Sequence, residues 1–413
     1  MERTVKYSCI EPLKGAGPPI IIVAALYEAE AIARACSDLG INVSAFCDTE
    51  KRKAENLFCG MEVIHTPTLP QRFPKARFLL ASQHIVDVSE QLTGMGYGEF
   101  YSALEILENY DVNKYEYLIS KISKSYMAER ISVYKKSHSA YFDENKTYMR
   151  SIDVMVTTKC SLKCESCSNL MQYYENPQNT DFDRTLEALE ILQENVDEIS
   201  EFRMIGGEPL MNKDWAYIIK AILDKNPERK IFVYTNGTIP PKDEHLEFFH
   251  GKHVTFIITE YGELSKNLAK LKEKLDRHGI TYLARPAENW LDCSSIRHHK
   301  RTPSDLKEVF KQCCVKYVYT LLDGRLYRCP FIANAANLKA IPDDPANYVD
   351  LFSKSGNIKQ QIRRLVKVTS FFPACDFCDG RPYDPAGKKG YDGKGPITGG
   401  IQTSKILSYT KYD

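Results

Sequence analysis

The sequence has no apolar run long enough to cross a bilayer. Its longest, Pro18 to Tyr27, falls far short of the ~20 residues a span needs. The opening MERTVKYS lacks a signal-peptide core, so a cytoplasmic chain is expected. Neither sign of charge predominates: 55 Lys+Arg face 54 Asp+Glu, for a net charge of +1. Without a basic field to hold a phosphate backbone, general nucleic-acid binding is disfavoured. There is no internal repeat and no disorder-like composition, since 43% of residues are hydrophobic and 26% charged. The 413 residues suffice for two or three domains. Thirteen cysteines, an odd number without an export signal, point to metal or redox chemistry instead of a disulfide framework.

Residues 1–98 read as a small α/β unit. Strands are expected over Ile20–Ala25, Asn42–Cys47, Glu62–His65 and Arg77–Ala81, with helices over Glu28–Leu39 and His84–Thr93. Such alternation implies a doubly wound parallel sheet. The first strand has no glycines after it. Gly15-Ala16-Gly17 precedes it, and the turn reads Ala24-Ala25-Leu26-Tyr27. A pyrophosphate could not approach that backbone closely. Asp48, where a ribose-binding acid would stand, is therefore read as a helix cap or solvated loop residue. The region resembles the Rossmann-like domains found beside carbohydrate-modifying enzymes, with the dinucleotide site lost. Residues 99–150 are read as a helical linker, with Lys121, Lys124, Arg130, Lys135 and Lys136 on a solvated face.

Residues 151–312 form a second run of βα units. Strands Ile152–Thr157, Phe202–Ile205, Ile231–Tyr234, Val254–Ile258 and Tyr282–Ala284 alternate with helical stretches. Polar or glycine motifs follow the strand ends, where βα folds bind ligands. No sixth strand is evident, so the barrel is read as partial. Residues 313–380 contain a hairpin, Tyr317–Leu321 and Leu326–Tyr327 around Asp323-Gly324. Residues 381–413 are a Gly/Lys-rich tail, read as loop that either covers a site or decorates the surface.

Cys160, Cys164 and Cys167 stand as C-x3-C-x2-C just after a strand. Three thiolates are one short of a structural zinc site, but leave one iron of a cubane open. The motif is the signature of the radical S-adenosylmethionine superfamily, which residues 151–312 resemble. The resemblance implies that the backbone of Gly206-Gly207-Glu208-Pro209 contacts the methionine amino group, and that Thr235, Asn236 and Thr259 lie at its ribose and carboxylate contacts. It further implies a 4Fe–4S cluster, S-adenosylmethionine, a 5′-deoxyadenosyl radical that abstracts hydrogen, and a flavodoxin- or ferredoxin-type reductant. Ser166 departs from the aromatic residue often found before the third cysteine, and the fifth strand lacks the family's glycine-and-glutamate pattern.

Cys314, Cys329, Cys375 and Cys378 resemble the ligands of that superfamily's short auxiliary ("twitch", SPASM-like) domain, implying a second 4Fe–4S cluster. The spacing Cys314-x9-Gly324-x4-Cys329 favours Cys314 over Cys313; a zinc knuckle of the same thiols is the alternative. Relatives with short auxiliary domains imply a carbohydrate or polyol substrate, nucleotide-activated forms included. Cys293 is a spare thiol after the fifth strand and the candidate hydrogen-atom donor of an epimerase, with the unligated member of Cys313 and Cys314 as its rival. A dehydrogenase using the auxiliary cluster as electron acceptor, a peptide-modifying maturase and a non-catalytic metal-binding module are the other readings. Arg285, Arg297, His299 and Arg381 are candidate phosphate or carboxylate contacts. No membrane partner is expected, and a homo-oligomer is compatible with this reading.

Overall fold

The computed structural model describes residues 4–117, 119–368, 370–382, 391–393 and 395–412. The chain divides into two compact units, Met1–Lys146 and Thr147–Asp413. Among the described residues no helix is long and apolar enough to cross a membrane.

The first unit is built on a seven-stranded sheet. In chain order its strands are β1 (Val5–Lys6), β2 (Ile20–Val23), β3 (Val43–Asp48), β4 (Leu57–Phe58), β5 (Met61–His65), β6 (Arg77–Leu80) and β7 (Phe100–Ser102). They lie in the order 1-7-6-2-3-5-4, and only the β4–β5 pairing is antiparallel. Side chains alternate across a strand. Ile20 and Ile22 therefore join one apolar cluster while Ile21 and Val23 join another. Burial on both faces explains why this strand reads as an unbroken apolar run.

Two expectations for this unit change. Residues 99–150 are not a separate helical linker. Phe100–Ser102 is a fully buried strand between β1 and β6. The helix Lys124–Phe142 is tied to the sheet through Tyr134, whose hydroxyl donates to Leu80 O and accepts from Ala103 N, both at 2.8 Å. Arg130 is not on a solvated face but turns in to the buried Glu28 at 2.6 Å. Asp48 is neither solvated nor a helix cap. It is buried, and accepts from the N–H of Ala25 in the turn after β2 at 3.0 Å and from Lys53 Nζ at 2.9 Å.

The second unit holds an eight-stranded sheet. Its strands are β8 (Tyr148–Met155), β9 (Glu198–Ile205), β10 (Lys230–Thr235), β11 (Val254–Glu260), β12 (Thr281–Pro286), β13 (Val318–Leu322), β14 (Arg325–Tyr327) and β15 (Tyr348–Asp350). The order is 12-11-10-9-8-13-14-15. Strands β8 to β12 are mutually parallel, so the loops after their C-terminal ends emerge on one edge. This is the expected partial βα arrangement, a mixed α/β fold with two parallel-rich sheets.

The hairpin is not set apart from it. β13 pairs in parallel with β8, and β14 and β15 continue the sheet antiparallel. Tyr319, Thr320 and Leu321 are buried there, and the pairing satisfies backbone groups that an open β8 edge would expose. The Asp323-Gly324 turn has both residues at positive φ, 49° and 77°, as a tight hairpin turn requires. A Cβ on Gly324 would also stand 2.0 Å from the Phe352 ring.

One cross-strand pair joins the first two barrel strands from inside. Asp153 on β8 stands opposite Arg203 on β9. Arg203 Nε and Nη2 donate to the two carboxylate oxygens at 2.5 and 3.1 Å, and the guanidinium lies over Tyr234 of β10. Removing one partner of a buried pair leaves the other charge unpaired, at a cost of about 3–5 kcal/mol. Urea unfolding of Asp153→Ala should show a loss of that size. A loss below about 1 kcal/mol, as for an exposed pair, would contradict this reading.

Candidate cluster and cofactor site

The loop after β8 carries Cys160, Cys164 and Cys167, and the loop after β9 carries Gly206-Gly207-Glu208-Pro209. Two main-chain bonds fasten one loop to the other. Gly207 N–H donates to Thr157 O at 3.1 Å and Glu208 N–H to Lys159 O at 2.8 Å. Only glycine permits this approach. A Cβ on Gly206 would lie 2.5 Å from Thr157 O; one on Gly207 would lie 2.4 Å from Lys159 O and 2.6 Å from Cys160 Cβ. Asn169, between the cysteine motif and the next helix, adds a bond from Nδ2 to Gly206 O at 2.9 Å.

Glu208 is wholly buried and its carboxylate is used inside the protein. Oε1 accepts from Leu210 N–H at 3.2 Å; Oε2 accepts from Thr235 Oγ1 at 3.0 Å and Asn236 N–H at 2.8 Å. The side chains of Glu208 and Thr235 therefore hold each other, and knot the loop after β9 to the loop after β10. Burial pushes the Glu208 carboxyl up to about 7, against the pull of those three hydrogen bonds. Pro209 begins a turn, Pro209–Met211, with Pro209 and Leu210 buried. Asn236 extends the knot to the cysteines, donating from Nδ2 to Ser161 Oγ at 3.0 Å and Cys160 Sγ at 3.7 Å. Ser265 completes it by donating to Asn236 O at 2.6 Å. Thr259 is half-buried near the end of β11, opposite Arg285 on β12.

The three thiols suit the cationic core of an iron–sulfur cluster. Burial first, then repulsion from neighbouring thiolates, raises Cys160 and takes Cys164 up to about 11, so three adjacent thiolates need a compensating cation. The glycine contacts give a backbone fixed around them. These residues fit a 4Fe–4S cluster.

A second set of thiols comes from the segments that follow β12. Cys313, Cys329, Cys375 and Cys378 line one small cavity together with Phe310, Phe331 and Arg381. Cys314, expected from its glycine spacing, is not on that lining. Cys313 ends the helix Pro303–Gln312 in extended conformation, so consecutive side chains point opposite ways and the first of the two turns inward. Arg381 is buried, donates from Nη2 to Ser168 O at 2.8 Å, and leaves Nε without a partner among the described residues. It works against burial on Cys329, Cys378, Cys293 and Cys314 by favouring their thiolates. Four thiols and an unpartnered buried guanidinium N–H fit an anionic iron–sulfur cluster. No three His, Cys, Asp or Glu among the described residues converge tightly enough to grip a single bare ion.

Cys293 is buried in the loop after β12, and burial raises its thiol above the ordinary range. The remaining basic candidates are mostly committed. Arg297 pairs with Asp379 at 3.5 Å, and His299 is held between Asp379 at 3.3 Å and Asp392 at 3.0 Å. Arg285 is exposed. Sequence reasoning missed Asn169, Ser161, Ser265 and Gln402. Their roles come from contacts distant along the chain, and no local spacing marks them.

Residues 154–259 match the model of the Radical SAM superfamily. The GTP 3′,8-cyclase of Nautilia profundicola is 32% identical over 97 residues, 23% of this chain and 29% of that protein. The Helicobacter pylori enzyme of the same name is 31% identical over 94 residues, 22% of this chain and 28% of its own. This chain thus spans under a third of the curated relatives it matches. Among solved structures, BtrN in complex with AdoMet and 2-DOIA aligns over 57% of this chain and 94% of its own, at 14% identity and a TM-score of 0.37. Streptococcus suis SuiB bound to precursor peptide SuiA aligns over 49% and 47%, at 14% and 0.29.

Two measurements check this site. Gly207→Ala should displace the Cys160 loop, so that the reconstituted variant holds about half the wild-type iron; full iron content would refute the packing argument. Glu208 bears on pH. A carboxyl raised from 4.5 to about 7 in the fold contributes stability that is present below 4.5 and is lost as pH rises through about 7, up to about 3 kcal/mol. Glu208→Gln should flatten that part of the pH–stability curve, and an unchanged slope would count against it. The close-packed glycines, the buried carboxylate knot and the three-thiol loop all fall within or beside the matched segment: the chain carries a radical S-adenosylmethionine superfamily domain over residues 154–259, and that superfamily's cofactors are a 4Fe–4S cluster and S-adenosylmethionine.

Proposed function

We propose that this chain is a radical S-adenosylmethionine epimerase acting at a hydroxyl-bearing carbon of a carbohydrate or polyol. The observation that carries the reading is topological. Cys293 follows β12 on the same edge of the parallel sheet as the cysteine loop after β8 and the Gly-Gly-Glu-Pro loop after β9. Cys160, Cys164 and Cys167 would hold one cluster. Cys313, Cys329, Cys375 and Cys378 would hold an auxiliary one. The backbone of Gly206–Pro209 with Asn236 and Thr259 would receive S-adenosylmethionine. When bound, these groups supply a one-electron chemistry able to remove a hydrogen atom from an unactivated C–H bond.

The chain's own residues do the rest. Glu208 and Thr235 keep the strand-end loops in register without facing the ligand. Burial keeps the Cys293 thiol protonated at neutral pH, and only the S–H form can give up a hydrogen atom. One hydrogen atom leaves the substrate carbon, and one returns from Cys293 to its opposite face. The sulfur radical left on Cys293 is reset by one electron from a flavodoxin- or ferredoxin-type reductant and one solvent proton. The name of the partial relatives, a GTP cyclase, favours nucleotide-activated sugars among the substrates to try.

A dehydrogenase is the second reading, favoured by the closeness of Cys293 and the four-thiol cavity to the same Arg381. Turnover in deuterated water separates the two. The epimerase places one solvent deuterium on the substrate carbon without net oxidation, and Cys293→Ala abolishes this. Net oxidation without incorporation would establish the dehydrogenase instead. For the auxiliary site, Cys313→Ala should lose about half of the iron of a two-cluster protein while Cys314→Ala keeps it; the reverse result would restore Cys314 as the ligand.

A further inference from the structure

The tail beyond the last cysteine pair is not free loop where it is described. Residues 401–403 lie along 163–165 as an antiparallel partner. Glu165 N–H donates to Ile401 O at 2.7 Å and Thr403 N–H to Lys163 O at 2.8 Å, with Gln402 opposite Cys164. Further up the tail, Trp290 and Ile397 exchange two main-chain bonds of 2.8 and 2.7 Å, and Gly399 N–H donates to Ala287 O at 2.9 Å. Two glycines allow so close a course. A Cβ on Gly399 would stand 2.4 Å from the Trp290 ring, and one on Gly400, at φ +89°, 2.5 Å from Tyr261.

This course presents one polar side chain to the cysteine loop. Gln402 Oε1 accepts from Lys163 N–H at 2.7 Å. Its Nε2 donates to Gly400 O at 2.8 Å and to Cys164 Sγ at 3.4 Å. Every polar end of the amide is thereby oriented, and the donor cannot turn away from the sulfur without breaking the other two bonds. We propose that Gln402 is a positioning residue that hydrogen-bonds the Cys164 thiolate and raises the reduction potential of the cluster held by Cys160, Cys164 and Cys167. This rests on the reading of that triad as cluster ligands.

The sign follows from charge. A reduced cluster carries one more electron, partly on its sulfurs. An N–H aimed at a ligand sulfur stabilises that added charge more than the oxidised form. Asn236 Nδ2 at 3.7 Å and Leu162 N–H at 3.5 Å do the same for Cys160, and main-chain N–H groups of Asn169, Leu170 and Met171 serve Cys167, so losing Gln402 removes the side-chain donor to Cys164. Around Gln402 the strap of residues 395–403 supplies the fixed backbone that keeps the dipole from reorienting.

The test is a redox titration of the anaerobically reconstituted full chain, following the electron paramagnetic resonance signal that responds to added S-adenosylmethionine. Gln402→Met removes the donor. Gln402→Glu removes it as well but keeps an oxygen for Lys163 N–H, so it guards against simple loss of the strap. With wild-type iron content, both variants should titrate at a more negative potential. At a poise equal to the wild-type midpoint, the reduced fraction should fall several-fold, and further for Gln402→Glu, which adds a negative charge. An unchanged midpoint in either iron-replete variant overturns the proposal. Failure of both variants to hold the cluster overturns it too, because Gln402 would then be a structural prop. Absence of any S-adenosylmethionine-responsive cluster in the wild-type chain would instead defeat the reading of the triad.

Discussion

Glu208 has no route to solvent, and the site is organised by what that forces on it. A buried carboxyl must be protonated or surrounded by donors. Here the donors are Leu210 N–H, Asn236 N–H and Thr235 Oγ1. Two of the three belong to the end of the neighbouring strand and the loop after it. Satisfying one side chain therefore fixes two strand-end loops together. Gly206 and Gly207 bring the same segment against the backbone of Thr157 and Lys159, which positions Cys160. Asn236, held at its N–H by Glu208, reaches back from its side chain to Cys160 Sγ. The cysteine loop, the glycine loop and the Thr-Asn-Gly loop thus form one rigid constellation before any cofactor arrives, the pre-organisation a reactive site needs.

The two thiol clusters differ in their surroundings. Around Cys160, Cys164 and Cys167 the side-chain donors are neutral amides, Asn236 and Gln402, and Arg381 reaches this set only through Cys167. Around Cys313, Cys329, Cys375 and Cys378 there is a buried guanidinium, Arg381. A full positive charge in a low-dielectric setting stabilises anionic sulfur more than an amide dipole does. The four-thiol site is accordingly built to hold negative charge. The three-thiol site takes its side-chain hydrogen bonds from amides instead.

Much of this was legible in the sequence because the signals were local. Asp323-Gly324 between apolar residues specified a hairpin through its own backbone preference. Ile20–Val23 announced a strand buried on both faces. The C-x3-C-x2-C spacing and the glycines after β9 stood at strand ends that periodicity alone located. What stayed hidden depended on contacts between distant segments. Phe100–Ser102 is three residues long, too short for periodicity, and is a strand only because β1 and β6 flank it. That the Glu208 side chain, in a segment whose backbone was expected to meet the ligand, holds Thr235 emerged only with the fold. Which of Cys313 and Cys314 lines the four-thiol cavity depends on where a helix ends, not on spacing. Gln402 lies 238 residues from the sulfur it touches, and nothing in the tail's composition marks it.

Everything proposed for this chain requires that the three-thiol loop, as the fold holds it, support a cluster with an open coordination position for S-adenosylmethionine. Anaerobic single turnover of the reduced, reconstituted chain with S-adenosylmethionine tests it most directly. 5′-Deoxyadenosine should form, and should vanish when any one of Cys160, Cys164 and Cys167 is replaced by alanine while the iron of the other thiol set is retained. Undiminished 5′-deoxyadenosine from the alanine variants, or none from a wild-type protein with both clusters filled, would contradict it.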